Sequence, residues 1–261
     1  MRKRFSRIAV LHQDMPFGKF IPNALTLLGL CTGATAIRFA LSGHWQAAVI
    51  AIVLAAVLDA MDGRIARLLG LESKFGAQLD SLADLVSFGI APSVLVYMWT
   101  LYHSGGAGWT IAMVFCACCA IRLARFNTQT PEDDEDHAPT SYFTGVPAPA
   151  AACLILLPML LSFQGPAAFL RDPIFNGGWM ALISLLMVSR LPTLSLKNFY
   201  VPKHLAAPVV AIGAGLVLCI IVWPWATLSA AALIYFGALP LGSRPPGPIR
   251  QSFTRPSPPP Q

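Results

Sequence analysis

Four acidic side chains stand where carboxylates are hard to keep. Asp59 and Asp62 close the apolar run 51–58, and Asp80 and Asp84 open the next one. At membrane depth a carboxylate is expensive by several kcal/mol unless it is paired, hydrated or bound to a cation. On a helix turning by about 100° per residue, Asp59, Asp62, Gly63, Ala66 and Arg67 fall within about 140° of one another. Asp80 and Asp84 are i and i+4 on the following helix and share a face as well. A short connection around residues 70–76 makes the two helices antiparallel neighbours, so four carboxylates can converge.

Such a cluster repels itself unless cations lie among its members. Hard oxygen ligands without His or Cys suit Mg²⁺ or Mn²⁺. Gly63 and Ala66 remove bulk where a ligand must approach the helix, and Arg67 sets a permanently charged fork beside the acids, suited to phosphate. Together these residues describe metal-assisted phosphoryl transfer. A purely structural role, with the acids paired to Arg64, Arg67 and Lys74, carries less weight because intramembrane acids are functional by default.

The elements that position the acids follow from composition. Of 261 residues 56% are apolar and only 11% charged, with mean hydropathy +0.63. Soluble domains carry about 25% charged residues, so an ordinary globule is excluded. The alternation of an outer-membrane barrel is not visible. The expected fold class is all-α, a polytopic membrane helical bundle of about eight transmembrane helices. Spans are predicted near 20–41, 45–68, 78–101, 108–126, 147–164, 177–191, 205–222 and 225–241. A tight aromatic turn, Trp223-Pro224-Trp225, separates the last two.

With both termini cytoplasmic, 16 of the 18 Lys and Arg fall on the inner side, leaving Arg38 and Arg171 outside. That bias predicts an inner-membrane orientation with the acids near the cytoplasmic face. Residues 1–19 read as a basic N-terminal segment, 20–241 as the transmembrane domain, and 242–261 as a Pro-rich, disordered tail. The acidic run Glu132-Asp133-Asp134-Glu135-Asp136 reads as a solvated inner loop. Net charge is +6, yet little soluble surface remains to face a nucleic acid. All six cysteines lie in apolar stretches without ligand spacing and read as packing residues. The five histidines are dispersed and form no pair.

The pattern Asp59-x-x-Asp62-Gly63-x-x-Ala66-Arg67, eight residues, then Gly76-x-x-x-Asp80-x-x-x-Asp84 is similar at every fixed position to the signature of the CDP-alcohol phosphatidyltransferase family. Within that family four further stretches resemble the integral-membrane bacterial phosphatidylserine synthases. They are Ile21-Pro22-Asn23-Ala24-Leu25-Thr26, Ser87-Phe88-Gly89-Ile90-Ala91-Pro92, Arg122-Leu123-Ala124-Arg125-Phe126-Asn127 and Tyr142-Phe143-Thr144-Gly145-Val146-Pro147. The resemblance implies that CDP-diacylglycerol and L-serine give phosphatidylserine and CMP. It also implies a six-helix core, here extended by two helices, and often a homodimer.

By motif position the resemblance assigns metal to Asp59, Asp62 and Asp80, with Asp84 sharing a second metal site and acting as general base. It assigns CDP-diacylglycerol to Asn23, Thr26, Asp59, Asp62, Gly63, Ala66, Arg67 and Gly76, Arg67 facing the diphosphate. A serine acceptor also needs a partner for its carboxylate, and Arg122 and Arg125, three residues apart, are the candidates; a role as positive-inside anchors or as phosphate-facing residues is the alternative. Ser87, Thr144 and Gly145 are candidate pocket residues. Rival readings are another acceptor in the same family (glycerol phosphate, inositol phosphate or choline) and a cation transporter, which leaves Gly63, Ala66 and Arg67 unexplained.

Overall fold

The computed structural model describes residues 20–71, 73–128, 142–165, 168–189, 192–194, 215 and 218–242. The basic N-terminal segment, the acidic run, most of the seventh expected span and the Pro-rich tail lie outside the described residues.

Helix α1 (Phe20–Leu41) and α2 (Trp45–Leu68) form a helical hairpin. It closes over residues 42–44, where His44 donates its backbone N–H to the Phe39 carbonyl at 2.9 Å. Small residues make the long contact between them: Ala36, Ala40, Ala48, Ala51 and Ala55 are all buried. Without large side chains between the backbones, dispersion contacts accumulate along the seam, as suits helices whose outer faces meet lipid.

Helix α3 (Lys74–Asp84) starts at Ser73, whose hydroxyl accepts from the Gly76 N–H. It runs through one π-helical turn, Leu85–Ile90, into α4 (Ala91–Trp99). In that turn the Ala91 N–H reaches back five residues to the Val86 carbonyl. Pro92 follows at the start of α4, and the wider turn accommodates a residue that has no N–H to donate.

After a 3₁₀ turn, α5 (Gly105–Thr128) crosses the body again. Helices α6 (Ala148–Ile155) and α7 (Leu157–Ser162) stand where one continuous span 147–164 was expected; Pro158, at the start of α7, marks the break. Helix α8 (Pro173–Val188) is capped by Asp172, which accepts from the Ile174 N–H. Helix α9 (Pro224–Gly242) matches the last expected span. Gln164 ties it to the end of α7, donating to Ser229 Oγ at 2.9 Å.

The body is helical, with one small addition to the all-α expectation. Strand β1 (Tyr142–Thr144) pairs antiparallel with β2 (Pro192–Leu194). Gly145 follows β1 at φ +84°, and a Cβ there would lie 2.7 Å from the Met187 carbonyl oxygen. Both the backbone conformation and the close approach require glycine.

The core is built from Phe88, Leu95, Phe115, Met159, Met180, Ile183 and Met187. Leu28, Ile50, Leu54, Val57, Ile121, Leu185 and Ile234 face outward, an apolar exterior that suits a bilayer. Among the described residues three helices are long and apolar enough to cross it: 21–41, 74–99 and 101–128. Helix α2 matches them in length, apolar from Ala47 to Leu58 and charged beyond. The arrangement is that of a multi-pass membrane protein.

Candidate active site

The acids meet in a cleft floored by α1. Helices α2 and α3 were expected to be direct neighbours, but their backbones scarcely touch; α1 instead packs against both. The separation leaves a cleft between the acidic ends. The cleft encloses about 190 Å³, its open mouth included, and is lined by Thr26, Asp59, Asp62, Asp80, Asp84 and Ser87 among others.

One oxygen from each of Asp59, Asp62 and Asp80 lies within 4.8 Å of the other two. Asp84 lines the same cleft. Carboxylates this close need a proton or a cation between them. All of the donor atoms are hard oxygens, so the set fits a divalent ion of the Mg²⁺ or Mn²⁺ kind. Among the described residues no ion pair joins Arg64, Arg67 or Lys74 to these acids, which removes the purely structural pairing considered from sequence.

Thr26 holds the cluster from below. Its hydroxyl donates to Asp62 Oδ2 at 2.6 Å, and both residues are buried, at 6% and 4% exposure. The Pro22 carbonyl lies 3.0 Å from the same hydroxyl. A buried carboxylate oxygen is thereby aimed and kept satisfied. Asn23, one turn earlier, reaches the start of α3: a Cβ on Gly76 would lie 3.2 Å from Asn23 Oδ1. Glycine at 76 therefore lets α1 and α3 close together beside the acids.

Gly63 stands differently. No atom lies within 4 Å of where its Cβ would be, so the face of α2 next to Asp62 is open. Arg67 is exposed and folds back along the helix, donating Nε to the Gly63 carbonyl at 3.1 Å. Ala66 is half-buried between them. Gly63 and Arg67 thus border the open approach to the carboxylates.

The two arginines of α5 part company. Arg125 is exposed and donates Nη1 to the Val188 carbonyl at 3.3 Å, holding the end of α8. Arg122 is half-buried, and its charge interacts with Asp84 and Tyr235. Its Nε is buried and has no hydrogen-bond partner among the described residues. Neither arginine lines the acidic cleft. Ser87 lines the cleft and reaches the Gly29 carbonyl at 3.4 Å, whereas Gly145 packs against Met187 and Ser189.

Sequence reasoning missed three features here. The π-helical turn begins directly after Asp84, and Pro92 was the signal that could have found it. The close packing of α1 on that turn was also missed: a Cβ on Gly33 would lie 2.8 Å from Ser87 Cα. Ser81 and Asn127 join α3 to α5, Asn127 Nδ2 donating to Ser81 Oγ at 2.9 Å. That link braces the helix carrying Asp80 and Asp84.

The sequence is similar to those of known proteins. The chain is 36% identical over 222 residues to a protein of Mycobacterium leprae named CDP-diacylglycerol–serine O-phosphatidyltransferase, covering 85% of this chain and 74% of that one. Proteins of the same name from Helicobacter pylori and Bacillus subtilis are 42% and 35% identical, each over 173 residues. Those matches cover 65% of this chain and 70% of the first, and 66% and 88% for the second. Residues 19–188, which hold every acid of the cleft, match the model of CDP-alcohol phosphatidyltransferases, and the chain belongs to that family.

Proposed function

We propose that this enzyme transfers the phosphatidyl group of CDP-diacylglycerol to the hydroxyl of L-serine, giving phosphatidylserine and CMP. The observation that carries the reading is the meeting of Asp59, Asp62 and Asp80 within 4.8 Å, with Asp84 lining the same cleft, on a family signature. The choice of serine is supported by the names of the relatives.

Asp59, Asp62 and Asp80 would hold the metal, with Asp84 at its edge. A bound Mg²⁺ or Mn²⁺ would neutralise the diphosphate and polarise the reacting phosphorus. Gly63 leaves α2 open for the CDP moiety, Ala66 and Gly76 keep the walls small, and Asn23 and Thr26 border the nucleotide from α1. Arg67, freed from the acids, turns to the diphosphate as a bidentate donor.

Asp84 takes the proton from the serine hydroxyl, which is a weak nucleophile near neutral pH. The serine oxygen then forms its bond to the lipid-side phosphorus as the bond from that phosphorus to the CMP oxygen breaks. Helices hold the reacting groups in line. Arg122 receives the serine carboxylate, while Arg125 stays on α8. In the same proposal residues 20–241 form one domain of eight spans with both termini cytoplasmic. The lipid tails remain in the bilayer while the nucleotide enters from the cytoplasm, and a homodimer is included.

The test is an acceptor panel: purified protein in detergent with CDP-diacylglycerol, divalent metal, and L-serine, glycerol phosphate, inositol phosphate or choline. Serine-dependent release of CMP with a serine-labelled lipid is expected. Turnover with another acceptor and none with serine would overturn the substrate. No CMP release with any acceptor, in folded protein, would overturn the activity.

A further inference from the structure

The three carboxylates that converge come from two helices that scarcely touch: Asp59 and Asp62 from α2, and Asp80 from α3. Whether their oxygens meet therefore depends on where α3 is held. Its apolar anchoring is slight. Of its eleven residues only Ala83 is buried, while Phe75 and Leu82 are each 62% exposed. An element with so few buried contacts shifts easily unless something else fixes it.

That fixing comes from α5. Asn127 Nδ2 donates to Ser81 Oγ at 2.9 Å. The Ser81 hydroxyl has two acceptors in reach at 3.1 Å, Asn127 Oδ1 and the Ala77 carbonyl. Among the described residues no other neutral side chain of a second helix hydrogen-bonds α3. Ser81 adjoins Asp80 and precedes Asp84 by three residues, so the tie lies within one turn of both acids. At its other end stands a long helix anchored in the core by Ala112, Phe115, Cys119 and Leu123.

We infer that Asn127 is a positioning residue: through Ser81 it holds α3 at the distance that lets Asp80 share a divalent cation with Asp59 and Asp62. This rests on the proposed metal-binding role of the acids and deepens it. Asn127 completes on the α3 side what Thr26 does on the α2 side, where it fixes Asp62 directly. Loss of the tie leaves every ligand in place but lets Asp80 drift from the other two, so cation affinity falls.

The experiment titrates Mn²⁺ into the full chain in detergent without lipid substrate, following free Mn²⁺ by electron paramagnetic resonance. The Kd in Asn127→Ala should rise about five-fold, as for one neutral hydrogen bond lost. Ser81→Ala removes the same bond from the α3 side with a residue that favours the helix, and should match it. The double variant should bind no more weakly than either single one, because both remove one interaction. In CMP release all three should need more metal, with kcat and the KM for serine recovered at excess metal. Thr128→Ala, whose hydroxyl only returns to the Arg125 carbonyl at 3.0 Å, should match the wild type.

Unchanged Mn²⁺ affinity in Asn127→Ala and Ser81→Ala, with a wild type that binds Mn²⁺, would overturn the inference and leave the proposed function standing. Losses that add in the double variant would show that Asn127 acts apart from Ser81 and overturn it equally. So would a raised KM for serine at saturating metal with Mn²⁺ affinity intact, which would assign Asn127 to the acceptor. A folded wild type that binds no Mn²⁺ would overturn the inference, and the proposed function with it if CMP release is absent too.

Discussion

Thr26 offers the sharpest test of how the cluster is held. Thr26→Val preserves shape in a buried position and removes the hydroxyl that donates to Asp62 Oδ2 at 2.6 Å. Both partners are nearly inaccessible, at 6% and 4% exposure, so water cannot easily replace the lost donor. A hydrogen bond to a charged group contributes about 1.5–3 kcal/mol. Asp62 has an alternative partner whenever a cation is bound, which argues for the lower end. About 1.4 kcal/mol corresponds to ten-fold in an equilibrium constant. The expected effect is therefore a rise of about ten-fold in the divalent-metal concentration needed for half-maximal CMP release, with kcat recovered at excess metal. Thr26→Ser should restore wild-type behaviour. A metal requirement for Thr26→Val within two-fold of wild type would refute the reasoning.

Two further substitutions separate access from folding. Gly63→Leu fills a face on which nothing lies within 4 Å of a new Cβ, so the melting temperature in detergent should hold. The KM for CDP-diacylglycerol should meanwhile rise by about ten-fold or more, equivalent to about 1.4 kcal/mol. Gly145→Ala should do the reverse at the foot of the β ladder, where φ is +84° and a Cβ would lie 2.7 Å from the Met187 oxygen. It should destabilise by about 2 kcal/mol or more, measured as a lowered unfolding midpoint.

The acidic cleft was largely legible because its information is local. Asp59 and Asp62 share a face of α2 by i, i+3 spacing, and Asp80 and Asp84 share one of α3 by i, i+4. Those offsets survive whatever the tertiary arrangement. The limits of α1 and α2 were legible too, since long apolar runs broken by residues such as Gly43 leave little choice. The meeting of α2 and α3 across α1 was not legible, because hydropathy reports which faces are apolar and not which helix fills the gap. Asn23 and Thr26 entered through family resemblance; their contacts with α3 and Asp62 are tertiary.

Elsewhere the missing information was of other kinds. A π-helical turn shifts the register by one residue and leaves the pattern of Leu85, Val86 and Phe88 compatible with an ordinary helix. The ladder of Tyr142–Thr144 with Pro192–Leu194 is three residues long, too short to show an alternation. Arg122 and Arg125 looked equivalent at three residues apart, yet Arg125 is drawn off by the Val188 carbonyl.

The central claim is that the converging carboxylates carry out phosphatidyl transfer to serine with Asp84 as the base. Its most direct test is CMP release and labelled-lipid formation from CDP-diacylglycerol and labelled L-serine, comparing the wild type with Asp84→Asn. The substitution is nearly isosteric and removes the proton acceptor. A general base contributes about 10²–10⁴-fold, so the expected result is a loss of that size in kcat with the protein still folded and still binding CDP-diacylglycerol. Wild-type turnover in folded Asp84→Asn would contradict the claim.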